Sequence, residues 1–237
     1  MPSQTGPIKD SGKAAAIRDF FLDFPLTHDP DYYRLFDDFM GIAVDSTNDW
    51  TVVKDSSATV AIETDTLGGR LLMSSQASTA DDGSSIQGNE IFLPVAGKDI
   101  WFETKLAILA PATAEFFAGL SVNWGTNPEG VLTVTDRIGF EINDADASIL
   151  CITEDTNTPT SSDSEVDAVI SEDIILGFHV IGTAEVRFFV NRVQVVSHTT
   201  NIAADQNFAV ALMELSGTGG TPTQTMAVDY VMCVATR

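Results

Sequence analysis

Alternation of apolar and polar residues runs through most of the chain and is clearest in AEVRFFVNRVQVVSH, Ala184 to His198. Two short runs there flank Asn191-Arg192, which has the length of a two-residue hairpin turn. With Val190 and Val193 beside the turn, Val186, Phe188, Val190, Val193 and Val195 fall on one face. Arg187, Gln194 and His198 fall on the other, with the less polar Phe189 and Val196 among them. A strand pair with one apolar face needs a second sheet to cover it, and the chain supplies further strands. Strand-like runs lie at LFDDF, at Trp50 and the three residues after it, and at 58–64, 69–75, 99–110, 114–124, 136–143, 147–153, 174–182, 208–215 and 225–237, separated by Gly-, Asp-, Asn- and Ser-rich turns.

Several pairings and faces follow from this pattern. In DIWFETKLAILA, Ile100, Phe102 and Thr104 share one face and Trp101, Glu103 and Lys105 the other. That strand is expected to pair with AEFFAGLSVNW through Pro111-Ala-Thr, and 136–143 with 147–153 across Asp144-Ala-Asp146. Residues 154–173 are acidic, polar and poor in aromatics, and predict an exposed loop. Before Leu35 the pattern differs. SGKAAAIRDFFLDF predicts a short helix with Ser11 as N-cap, an apolar stripe of Ala14, Ile17, Phe20, Phe21 and Phe24, and a stop at Pro25. The expected organisation is an N-terminal helical arm over 1–34 and one domain over 35–237. About twelve to fourteen strands in one domain argue for an all-β fold of two packed antiparallel sheets, a jelly-roll sandwich.

Charge narrows the function classes. Twelve basic residues against 34 acidic ones give a formal net charge of −22, which repels phosphate backbones and anionic lipid. Nucleic-acid and membrane partners are therefore not expected, and the self-repulsion of such a surface would be relieved by salt. Cys151 and Cys233 have no metal-ligand spacing and are expected as buried thiols. The N-terminus lacks the apolar core of a signal peptide, so synthesis in a cytoplasm is expected.

Three stretches resemble the concanavalin A-like lectin/glucanase superfamily: LFDDFMG with the later Trp50, VRFFVNRVQVV, and AVDYVMCV near the end. Arg192 stands where that superfamily usually places the turn glycine. Within the superfamily, GNEIFLPVAGKDIWFETKLAI, DRIGFEINDADASI and LGFHVIGTAEVRFFVNRVQVVSHTTNI are similar to tailed-bacteriophage virion proteins. The resemblance implies a structural capsid decoration or cement subunit, without enzymatic activity, on the virion surface. It would bind the major capsid protein as a homo-oligomer, expected as a trimer. Ile17, Phe20, Phe21, Phe24, Tyr32 and Tyr33 would make the contacts to capsid or neighbouring subunit. The alternative on the same fold is a carbohydrate-binding module for host or surface attachment, with Trp124, Asn123 and Asn127 as glycan contacts.

Catalytic chemistry is sparse. Retaining glycosidases need carboxylates facing the sugar from one side, which on this fold means two glutamates and an aspartate alternating along a strand. The nearest match is Glu165-Val-Asp167, with Glu172 too far on and no aromatic residue nearby. His28, His179 and His198 have no ligand spacing, and no cofactor is expected. Asp81-Asp82-Gly83 and Asn143-Asp144-Ala-Asp146 are the candidates for Ca2+, although acidic turns are commoner than calcium sites.

Overall fold

A computed structural model describes residues 32–41, 43–55, 57–63, 69–75, 82–109, 114–143, 146–216 and 224–237. In chain order the first seven strands are β1 (Tyr32–Asp37), β2 (Thr51–Lys54), β3 (Thr59–Ile62), β4 (Leu71–Ser75), β5 (Gly83–Gln87), β6 (Asp99–Ile108) and β7 (Ala114–Ser121). A four-residue helix, α1 (Gly130–Thr133), precedes β8 (Arg137–Ile142), β9 (Ser148–Asp155), β10 (Thr158–Asp167) and β11 (Asp173–Ile181). The chain closes with β12 (Glu185–Val190), β13 (Val193–His198), β14 (Ala209–Ser216) and β15 (Gln224–Thr236). Sheet A runs β13-β12-β11-β6-β15-β4-β3, with β1 also paired to β15, and sheet B runs β10-β9-β8-β7-β14-β5-β2. All strand pairs are antiparallel. The fold is an all-β jelly-roll sandwich.

The core lies between the two sheets and is built by every second residue of each strand. Ile100, Phe102 and Leu106 of β6 point inward and are fully covered, as the alternation predicts. Phe102 stacks on Phe178 at 4.8 Å, and Phe140 of sheet B meets Phe188 of sheet A edge-on at 5.4 Å. Each such ring removed from water contributes about 1.5–3 kcal/mol, so this cluster is what joins the layers.

Two sequence expectations change in three dimensions. β6 and β7 do not pair: β6 lies in sheet A between β11 and β15, and β7 in sheet B between β8 and β14. The connection therefore crosses between layers, because both strands carry an apolar face that needs the opposite sheet. Residues 158–167 are not loop but the edge strand β10, paired to β9. An edge strand covered on one side tolerates the polar composition that reads as loop. The predicted helix over 11–24 lies outside the described residues.

Two β-bulges reset which residues face inward. In β13, Phe189 pairs with Gln194 but Phe188 with Val196, so Val195 is the extra residue. His198 consequently pairs with Val186 and is turned into the sandwich at 4% exposure, not onto the polar face. In β15 the shift at Asp229 puts Val228, Val231 and Cys233 in the core and leaves Tyr230 and Met232 outside. Both cysteines are free and buried, and burial pushes the Cys151 thiol up to about 12.

The opening strand fixes the entry to the domain. Tyr33 stacks on Phe92 at 5.4 Å, and Asp37 accepts hydrogen bonds from the Phe39 amide and the Trp50 indole, both at 2.8 Å. The Asp-Phe segment and the later tryptophan are thus physically one unit.

Candidate functional site

Each sheet has an outer face, and side chains that bear chemistry gather on both. On sheet B the outward positions of β8 are Arg137, Gly139 and Glu141, and Arg137 pairs across to Glu154 on β9. Its guanidinium holds Glu154 through Nε at 2.7 Å and lies 2.9 Å from Glu141, the latter contact ionic and not a directed hydrogen bond. It also lies over the Phe117 ring, 6.0 Å from its centre. These three side chains are buried, and desolvation holds the Glu141 carboxyl above its usual range despite Arg137 beside it.

The rest of that face is filled by the chain itself. Trp124 is only 8% exposed and packs with Phe117, Val131 and Met213. Its indole Nε1 donates to Ser85 Oγ at 3.1 Å. Gly130 at the start of α1 makes this possible, since a Cβ there would stand 2.7 Å from the Trp124 carbonyl oxygen. Asn123 and Asn127 are exposed but tie the loop locally: Asn123 Oδ1 accepts from the Gly125 amide, and Asn127 donates to Glu129. Among the expected glycan contacts, then, the tryptophan lies beneath α1 and the two asparagines lie on the loop beside it.

On sheet A the outward residues of β6 are Asp99, Trp101, Glu103 and Lys105. Trp101 stacks almost parallel on its cross-strand partner His179, at 4.9 Å and 12°. His179 Nε2 meets Asp99 at 3.0 Å, yet burial keeps the imidazole below its ordinary value, so it is neutral at pH 7. Tyr32 stands on the other side of Trp101, centroids 6.3 Å apart and tilted by 44°. Between them opens a depression of about 370 Å³, lined also by Lys98, Asp99, Thr236 and Arg237. Further along, Glu103 is 2% exposed and accepts a short hydrogen bond from Tyr230. Arg192 approaches the same carboxylate at 3.4 Å from the hairpin turn. Asn191 and Arg192 both have positive φ, 49° and 65°, so the missing turn glycine is replaced by a strained arginine that reaches back over the sheet.

Of the expected arm contacts, Tyr32 and Tyr33 belong to β1, and Ile17, Phe20, Phe21 and Phe24 lie outside the described residues. Glu165 and Asp167 lie exposed on edge strand β10, where Glu165 has φ of 60° and the register to β9 shifts. Glu172 is in the following turn. The calcium candidates include Asp81 and Asp144, outside the described residues, while Asp146 caps the Ser148 amide. Among the described residues no three His, Cys, Asp or Glu side chains group as metal ligands. The Tyr32–Trp101–His179 array escapes sequence inspection because it joins three strands from distant parts of the chain. Arg137 and Glu141 could have been found, since they share one face of the run 136–143 expected as a strand, whereas Glu154 falls in the stretch expected as loop.

No protein-family model and no curated protein matches the chain. Solved structures do. The endo-β-1,3-glucanase of Pyrococcus furiosus superposes with a TM-score of 0.62 at 13% identity, over 86% of this chain and 94% of that one. A Bacteroides ovatus GH16 protein from a mixed-linkage glucan locus, in complex with a product, gives 0.60 at 12% identity over 83% and 98%. The laminarinase catalytic domain of Thermotoga petrophila gives 0.58 at 14% identity over 86% and 98%. The chain therefore shares the two-sheet β-sandwich fold of these structures.

These neighbours correct two expectations. The expectation of a capsid decoration or cement role is corrected, because glucanases are among the solved structures that share this architecture and the virion context has no counterpart in them. Carbohydrate recognition, the alternative, accords better with them. The expectation of a protein without enzymatic activity is corrected on the same ground, since glycoside hydrolases are built on this sandwich.

Proposed function

We propose that the protein recognises carbohydrate, and that a glycan seats in the slot between Tyr32 and Trp101. The observation that carries this is the slot itself: two aromatic rings set at 44° flank a depression with a carboxylate, an ammonium and a hydroxyl at its rim. Sugars present apolar C–H faces to aromatic rings and hydroxyls to such polar groups. The likeness to glucan-cleaving structures supports the class of ligand, and β-glucans are the first to test. Titration calorimetry with β-1,3- and mixed-linkage oligosaccharides should show binding. Trp101→Ala should weaken it at least tenfold with the fold retained by circular dichroism. Binding unchanged in that variant would place the glycan elsewhere.

Glycan cleavage is a second reading, and Glu141 supports it. A carboxyl whose pKa burial raises, with a second carboxylate on the next strand, has the makings of an acid–base pair. Arg137 stands between the two, and both are under cover, 8% and 7% exposed. Reducing-sugar release from laminarin or lichenan that disappears in Glu141→Gln supports cleavage at this pair. Release that persists in the variant excludes it.

A further inference from the structure

Where β10 of sheet B comes close to β13 of sheet A, three side chains form a relay. Ser162 Oγ lies 3.0 Å from His198 Nε2, and His198 Nδ1 lies 3.0 Å from Thr153 Oγ1. Hydrogen-bond accounting fixes the protons. Thr153 has one hydroxyl proton, and it is donated at 3.1 Å to the Thr200 carbonyl, a group that only accepts. Thr153 Oγ1 must then accept from His198, so Nδ1 carries a proton. Burial lowers the imidazole below its ordinary value, so the ring is neutral near pH 7 and Nε2 holds a lone pair. Ser162 is left to donate its hydroxyl proton to Nε2.

From this geometry we infer that Ser162 is a nucleophile with His198 as its general base and Thr153 as the residue that positions the imidazole, and that the relay acts on small acyl esters. Nucleophile, base and orienting group stand in the order that hydroxyl activation requires. The ring is held by Phe188, edge-on at 5.2 Å. The bulge at Val195 is what turns His198 inward to reach β9 and β10. His198 is 4% exposed whereas Ser162, on the edge strand, is half-buried, so the base is the more shielded of the two residues.

Among the described residues burial alone shifts the ring, with no charged neighbour contributing. Cys151, the cross-strand partner of Ser162, stays a neutral thiol. Asp163 turns to the opposite face, where it binds Ser148. In the reaction Ser162 Oγ would form a bond to the ester carbonyl carbon as its proton passes to Nε2. Collapse of the adduct breaks the acyl–oxygen bond, and the departing alkoxide takes that proton. Water, activated by the same nitrogen, then releases the acid and restores the serine. A threonine stabilises the imidazolium less than a carboxylate would, so turnover is expected to be slow.

The test uses the full chain with a fluorophosphonate probe and p-nitrophenyl acetate, with the label located by peptide mass spectrometry. The expected result is a label on Ser162 and ester cleavage that falls at least tenfold in Ser162→Ala, a half-buried and conservative change. Thr153→Val should slow labelling severalfold and shift its pH profile, because the tautomer is no longer fixed; a purely structural threonine would change the melting temperature alone. Labelling and cleavage in Ser162→Ala equal to those of the unmodified protein, with both folded by thermal melt, would overturn the assignment. A label on another residue, or none, would do the same.

Discussion

The outer faces of the two sheets start from the same alternating pattern and end differently. On sheet B the chain after β7 folds back over its own sheet, and Trp124 and α1 fill the face with side chains. On sheet A the outward residues of β6 meet those of β1, β11 and β15 without such a cover among the described residues, and Tyr32, Trp101 and His179 stay part-exposed around a slot. The arrangement of charge differs too. Sheet B buries two carboxylates around one arginine, whereas on sheet A Lys105 lies 2.8 Å from Asp229 and 2.9 Å from Asp173 at the surface. An aromatic residue near polar loops is thus no guide to a binding face until the path of the neighbouring loop is known.

Removing the arginine breaks the comparison most forcefully. Arg137→Met leaves Glu141 and Glu154 buried without a counter-charge and should destabilise by about 3–5 kcal/mol in urea denaturation. The equivalent change on the exposed face, Lys105→Met, should cost under about 1 kcal/mol. Equal losses would mean the faces are equally covered.

The faces should also respond to pH with opposite signs. Glu141 has a raised pKa in the fold, so its contribution is complete at low pH and is lost as pH rises through the folded value. Glu214, turned into the core between the sheets, is pushed up to about 8 by burial and acts in the same direction, over the window from about 4.5 to about 8. Each is limited to about 1.4 kcal/mol per pH unit. His179 on sheet A is lowered, so its contribution is present above its ordinary value and lost as pH falls through the folded one. Glu214→Gln and Glu141→Gln should therefore flatten the alkaline decline of the melting temperature. His179→Phe, which retains a ring to stack on Trp101, should flatten the acid decline. Melting curves between pH 4 and 9 that leave the variants parallel to the parent would remove this distinction.

Two smaller effects sharpen it. Trp124→Phe keeps the packing under α1 but removes the bond to Ser85, and should cost about 1–2 kcal/mol in thermal denaturation. Arg192→Gly should relieve the left-handed turn yet leave Glu103 without its arginine, for a net loss of about 1 kcal/mol. A net gain there would show that turn strain outweighs the ion pair.

The hairpin at Asn191-Arg192, the two faces of β6 and the sandwich itself were legible along the chain, because burial on one side of a strand imposes a period of two. The polar edge strand β10 was not, since a strand with little of its surface in the core carries little of that period. His198 faces inward through one unpaired residue in β13, and nothing in local composition announces a bulge. Nor could the chain alone say that β6 and β7 part company into different sheets, or that Tyr32 comes to rest beside Trp101. Local alternation determines which side of each strand is apolar. Which strands become neighbours, and which face is left open, depends on contacts between residues far apart in sequence, and those are decided only when the whole sandwich closes.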